Sequence, residues 1–228
     1  MTAVLGGRIR EARQARGLSL RATAAAASIS PSLLSQVETG KVQPSVSTLW
    51  AIVTGLGLSV DDVLHDGPPR SAAPAGRAAP GRGERTEPVQ RREDAPEITM
   101  TNGVTWRGLA VTGSAPGVDA VHVTYQPGAA SSIDDSHMRH EGMEFGYILS
   151  GELTLKLDFD TYVLRVGDSF SFDSMRPHLY LNESAAPAEG VWFVTGHARA
   201  AYSAPERTGV LRDAVDVLDA MSRLPGRN

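Results

Sequence analysis

The 228-residue sequence contains no cysteine. That excludes disulfides and thiolate metal sites and fits a reducing compartment, so the cytoplasm is the expected location. No apolar run approaches the ~18 residues that a membrane-spanning helix needs. The opening Met1-Thr2-Ala3-Val4-Leu5-Gly6-Gly7-Arg8 lacks the basic start and apolar core of a secretory signal. No membrane partner is expected. What remains is an ordinary mixture, 41% hydrophobic and 21% charged, long enough for two modest domains. Its net charge of −4 is unevenly spread. Residues 1–60 carry Arg8, Arg10, Arg13, Arg16, Arg21 and Lys41 against Glu11 and Glu38, whereas residues 98–228 carry 10 basic and 16 acidic side chains. A basic head on an acidic body directs a polyanion to the head alone. On charge alone, ordinary variation along a surface explains the asymmetry equally well.

Residues 67–97 read as a flexible linker. They are rich in proline and glycine, carry six arginines and have almost no large apolar side chain, so they cannot bury enough surface to offset the entropy of ordering. The chain therefore divides into residues 1–66, the linker 67–97, and residues 98–228. No internal repeat is present.

The first segment has helical periodicity. Leu5, Ile9 and Ala12 form one stripe, and Gly17 stops that helix. Ser19 caps a second, alanine-rich helix, Ser28-Ile29-Ser30 is a turn, and Ser30-Pro31 opens a third helix. The third helix turns Leu33, Leu34 and Val37 inward and Ser32, Ser35 and Gln36 outward. Ser45 opens a fourth helix whose core is Val46, Leu49, Trp50, Ile52, Val53 and Leu56, and a short fifth lies near residues 59–64. Five short helices with a tight turn between the second and third make a helix-turn-helix bundle. Outward Gln and Ser side chains suit base edges in a major groove. The run Ser30-Pro31-Ser32-Leu33-Leu34-Ser35-Gln36-Val37-Glu38-Thr39-Gly40, followed by Pro44-Ser45, resembles the recognition helix of phage-repressor-type DNA-binding domains. It departs from that pattern at Thr23, where leucine is usual, and at Ser28, where glycine is usual. The resemblance implies Ser32 and Gln36, with Ser35, as base readers, and Arg21, Thr39, Lys41 and Gln43 as phosphate contacts. A bundle used only for protein contacts is the alternative.

From Ile98 onward, short alternating runs are separated by Gly, Pro, Asn and Asp, as in a sandwich or barrel. His140, Glu144 and His178 form a set of two histidines and one carboxylate that can face one side of an iron, zinc, manganese or nickel ion. The stretches "HEGMEFGYILSGEL" and "GDSFSFDSMRPHLYLN" resemble the two cupin motifs. That resemblance implies a double-stranded β-helix barrel with an internal pocket. Metal-binding cupins usually carry a further histidine where this chain has Met138, so two readings stay open: a three-ligand metal site, or a bare polar pocket for an effector. His65, His122 and His197 lack matching partners and read as surface or satisfied core residues, with the alternative that His122 reaches the pocket. Residues 208–222 have an amphipathic pattern that suits packing on their own domain or a dimer contact.

The expected fold is thus α+β in two domains: a five-helix bundle, then an all-β cupin barrel with a C-terminal helix. The combination resembles cupin-type transcriptional regulators. It implies a non-enzymatic, sequence-specific regulator whose barrel binds a small-molecule effector and joins two copies, because paired helix-turn-helix units read half-sites ~34 Å apart. The alternative is a mononuclear non-haem iron oxygenase or epoxidase acting on a small phosphonate-like substrate. Hydroxypropylphosphonate epoxidases share the layout and the triad. In that case Arg107, Arg139, Arg165 and Arg176 are the candidate anion anchors. A pure interaction module is a third possibility.

Overall fold

The computed structural model describes residues 2–58, 60–64, 89–109 and 118–196. The segment 208–222, His65, His197 and most of the linker lie outside the described residues. Five helices form the first domain: α1 (Thr2–Ala15), α2 (Leu20–Ala26), α3 (Pro31–Glu38), α4 (Val46–Gly55) and α5 (Val60–Leu64). Local chemistry sets their boundaries. Gly17 leaves α1 at φ +65°, a conformation that costs glycine little. Ser19, Ser30 and Ser45 each accept a hydrogen bond from the backbone N–H three residues on, at 3.1, 3.1 and 3.2 Å, which satisfies one otherwise unpaired donor per helix. The N-terminus of α5 is capped from far along the chain, where Val60 N–H donates to Asp119 Oδ1 at 3.0 Å.

Helices α1 and α3 touch closely. A Cβ on Gly6 would lie 2.2 Å from the Val37 carbonyl oxygen, so only glycine allows this approach. A two-pronged ion pair ties the same helices: Arg13 Nε donates to Glu38 Oε1 at 2.6 Å and Arg13 Nη2 to Glu38 Oε2 at 2.7 Å. Glu38 is buried at the end of α3.

The second domain holds β1 (Glu97–Thr99), β2 (Val104–Gly108), β3 (Val118–Tyr125), β4 (Met143–Ser150), β5 (Glu152–Leu157), β6 (Asp160–Arg165), β7 (Ser169–Asp173), β8 (His178–Leu181) and β9 (Ala188–Thr195). A six-stranded sheet, ordered β1-β2-β3-β9-β4-β7, faces a three-stranded sheet, β6-β5-β8. The described pairings are antiparallel. Period-two alternation sets the inward side of β4, where Glu144, Gly146 and Ile148 face in and Met143, Phe145 and Tyr147 face out. At Gly146 the inward side is filled from β7, because a Cβ there would sit 2.1 Å from the Phe170 ring.

The two-domain α+β architecture is therefore as expected. Strand β1 was not anticipated, since three residues are too few to display an alternation. A 3-10 turn, Arg92–Asp94, precedes it within the stretch read as linker. The helical bundle is docked on the barrel. Ser47 N–H donates to the Ser131 carbonyl at 3.0 Å, Trp50 meets Trp106 edge-on at 6.2 Å, and the buried apolar residues of the two domains form one continuous cluster.

Candidate functional site

On the bundle, α3 presents Ser32 and Gln36 to solvent, with Ser35 half-buried beside them. Its inward residues Leu34 and Val37 are buried, so the helix is held from behind. Arg21, Thr39 and Lys41 are exposed and Gln43 is half-buried. The Thr39 hydroxyl donates to the Ser35 carbonyl at 2.8 Å, so its proton already serves the helix end. The barrel leaves this face open, because the groove between the domains is lined by the α2–α3 turn and α4 and not by Ser32, Ser35 or Gln36.

In the barrel, three elements bring His140, Glu144 and His178 together, and all three side chains are buried. Glu144 points inward from β4 and His178 begins β8. His140 sits on the segment before β4, which is clipped to the β7–β8 turn by His140 N–H donating to the Ser174 carbonyl at 3.0 Å. His140 Nε2 is 2.8 Å and His178 Nε2 3.2 Å from the same oxygen, Glu144 Oε1. The other ring nitrogens face backbone carbonyls, which can only accept. His178 Nδ1 therefore donates to Arg176 O at 2.8 Å, and His140 Nδ1 to Glu141 O at 3.2 Å. This turns both Nε2 atoms inward. Tyr180 donates its hydroxyl to Glu144 Oε2 at 2.6 Å.

The electrostatics follow from this convergence. Burial opposes the Glu144 charge, but the two histidines outweigh it and hold the carboxyl well below its usual range. Burial likewise opposes a charge on His178, and Glu144 outweighs it, raising that imidazole's pKa. Burial and the Glu144 charge push the Tyr180 phenol up, so it stays a donor.

The three donor atoms suit a divalent ion. Ligands at about 2.0–2.2 Å from a metal and at right angles to one another lie about 3 Å apart, and the histidine nitrogens stand at that separation from Glu144. His178 Nε2 is buried and, although 3.2 Å from Glu144 Oε1, lacks the geometry of a hydrogen bond to it. Among the described residues this is the one cluster with metal-ligand character. An ion held there would offer its open positions to an oxygen-bearing ligand. Met138 occupies the remaining side. It pairs with His178 through the backbone, at 2.7 and 3.0 Å, and borders both the cavity and the interdomain groove.

His122 does not reach the site. Val121 and Val123 take the inward positions of β3, which leaves His122 on the opposite face with Nε2 3.4 Å from Glu189 Oε2. His137 stands beside the interdomain groove. Arg107, Arg165 and Arg176 pair with Glu97, Glu152 and Asp158 respectively. Arg139 lines the groove. No Lys or Arg among the described residues lines the inner cavity.

Two residues were missed as site residues. Trp50 was read only as helix core, yet its ring centroid lies 4.5 Å from that of His140. The signal was the width of the apolar surface of α4, where Val46, Leu49, Trp50, Ile52 and Val53 are all buried. That is more than one face needs. Tyr180 follows His178 by two residues on a strand and so shares its side.

Known proteins agree with both halves. The family model of the cupin domain matches residues 121–194 and that of the helix-turn-helix domain residues 4–65. The chain belongs to the helix-turn-helix transcriptional regulators that carry a cupin domain. The HTH-type transcriptional regulator PuuR of Escherichia coli is 28% identical over 180 residues, covering 79% of this chain and 88% of that one. SutR of the same organism is 27% identical over 175 residues, covering 76% and 84%. An HTH_3-family transcriptional regulator from Vibrio cholerae has the same fold, with a TM-score of 0.60 at 20% identity over 85% of this chain and 96% of that one. This regulator is a DNA-binding protein, and no described helix in it is long and apolar enough to cross a membrane.

Proposed function

We propose that this regulator binds a near-palindromic operator as a homodimer and releases or holds it in response to a small molecule taken into the barrel. The carrying observation is the α3 surface: Ser32 and Gln36 are exposed on a capped helix whose opposite side is anchored by Leu34, Val37 and Glu38. Gln36 reads an adenine edge, Ser32 and Ser35 read neighbouring bases, and Arg21, Lys41 and Gln43 position the helix on phosphates, joined by Thr39 when its hydroxyl turns from the Ser35 carbonyl to a phosphate oxygen. The His140–Glu144–His178 cluster binds the effector's polar group through one divalent ion. Binding DNA assigns the protein to the cytoplasm.

The dimer assignment draws support from an exposed apolar row on the outer sheet. It comprises Met143, Phe145, Tyr147 and Leu149 of β4, with Phe193 of β9 opposite Phe145. A second copy covering this row removes it from water and supplies the two heads that a palindrome requires.

The protein is not an enzyme in this reading. A phosphonate-like substrate needs a cation beside the metal, and the inner cavity's described lining has none. Oxygen-dependent turnover that disappears in His178→Ala would reverse that conclusion. The reading itself is tested with Gln36→Ala on a duplex selected by the wild-type protein. We expect a loss of discrimination of about five- to 150-fold, that is about 1–3 kcal/mol for one bidentate contact. Unchanged affinity and selectivity would refute the assignment of Gln36.

A further inference from the structure

We infer that Trp50 is the resident occupant of the barrel's ligand site, and that the natural ligand is a planar, largely apolar ring compound of about indole size with one polar head. The inference rests on the effector reading above and names the chemistry of that effector.

Three observations carry it. The cavity remaining beside the His140–Glu144–His178 cluster has a volume of about 30 Å³, enough for a water or two and no more. Sites for small organic ligands run to ~300–1,000 Å³, so the barrel as it stands cannot admit one. The Trp50 ring stands in the cavity's wall, packed against His140 and edge-on to Trp106. Outside it lies an open groove of about 790 Å³ between the domains. The outer groove and the inner cavity share three lining residues: Trp50, Met138 and His140. A molecule passing from groove to cavity must go through that wall. Met138 is fixed by two backbone bonds to β8 and His140 by its bond to Ser174, whereas Trp50 belongs to the other domain.

The lining states what can replace the indole. Trp106, Tyr125, Tyr180 and Trp192 present ring faces and edges, and Val121 and Val123 present methyl groups. This is a slot for a flat apolar body. The polar side chains of the lining are His140, Glu144, Tyr180 and Asp119; Tyr180 donates to Glu144 and Asp119 Oδ1 accepts from the Val60 N–H, which leaves the His140–Glu144 end to receive a single head group. Because Trp50 is carried on α4, a ligand that takes its place forces α4, and with it the DNA-binding bundle, off the barrel. Ligand binding and domain docking then exclude one another, which is the differential affinity that a ligand-driven change requires.

The test uses the full chain and indole itself as the probe, followed by calorimetry. Trp50→Ala retains the helix-favouring methyl and removes the ring, so it should bind indole at least tenfold more tightly than the wild type. Equal affinity in the two proteins, or binding in neither, would overturn the inference. Should Trp50→Ala not fold, Trp50→Leu with benzene provides the same comparison and the same two outcomes. A duplex titration of the same preparations separates the two claims. No gain of indole binding with specific DNA binding intact rejects Trp50 as occupant and leaves the regulator. A gain of indole binding with no specific DNA binding rejects the regulator and leaves the site.

Discussion

Trp50, on the fourth helix of the DNA-binding bundle, lies with its ring centroid 4.5 Å from that of His140, a member of the barrel's buried triad, the two planes tilted by 46°. One aromatic contact thus joins the domain that reads DNA to the site that can hold an ion and its ligand. With the Ser47–Ser131 and Val60–Asp119 hydrogen bonds, it makes the interdomain boundary a packed interface, despite the long proline- and glycine-rich segment that connects the domains in sequence.

The phosphate contacts should behave differently from the base readers. Arg21→Ala and Lys41→Ala each remove an exposed cation from the bundle. Each should weaken specific and scrambled duplexes alike and reduce the slope of log K against log salt by about 0.9. A salt titration checks this; an unchanged slope would take the residue off the phosphate backbone.

The two departures in the helix-turn-helix motif should be sites of recoverable stability. Ser28 is held at φ +52°, a left-handed conformation that costs a side chain about 1–2 kcal/mol, partly offset by glycine's larger loss of entropy. Ser28→Gly should stabilise by about 0.5–1 kcal/mol. Thr23 is fully buried and its hydroxyl has no hydrogen-bond partner. Thr23→Val keeps the shape and removes that polar atom, for about 1 kcal/mol. Denaturant midpoints measure both, and a fall in either would show that the site is otherwise satisfied.

Glu38 should be the most sensitive position in the bundle. Its carboxylate takes two hydrogen bonds from Arg13, with only 11% and 3% of the two side chains exposed. Glu38→Gln leaves the guanidinium poorly compensated and should cost about 3 kcal/mol, whereas the apolar pair Arg13→Met with Glu38→Leu should recover most of it. Equal loss in the single and double variants would mean that packing, not charge, dominates there.

The triad should bind one equivalent of Co²⁺ or Zn²⁺. His178→Ala should lower that affinity by at least ~100-fold, and Tyr180→Phe, which frees Glu144 Oε2, by about tenfold. His122→Ala, on the opposite face of β3, should leave it unchanged. Metal titration by calorimetry decides; indifference to His178→Ala would reduce the cluster to a hydrogen-bonded polar pocket.

Most of the bundle was legible because its signals are local. Ser19, Ser30 and Ser45 mark helix starts and Gly17 marks an end, and each acts within three or four residues. The β4–β9 strands were legible from period-two alternation, and the triad from motif spacing. What could not be read depends on contacts distant in sequence. Asp119 caps α5 across 59 positions, Tyr180 meets Glu144 across 36, and nothing local distinguishes a Trp50 that packs on another domain from one that packs at home. His122 stands outside the pocket with Glu189 as partner, as its main reading has it, and the alternative that it reaches the pocket failed for a related reason. Alternation says that neighbours face opposite ways, but the packing of β3 decides which way, and Val121 and Val123 won the inward side.

The central claim is specific DNA binding. Its most direct test is titration of the purified full chain into labelled duplex from upstream of its own coding region, beside a scrambled duplex, at two salt concentrations. Binding to the upstream duplex at least ~10³-fold tighter than to the scrambled one is the predicted result. Equal, weak binding to both that collapses as salt rises would be phosphate attraction alone, and would contradict the claim.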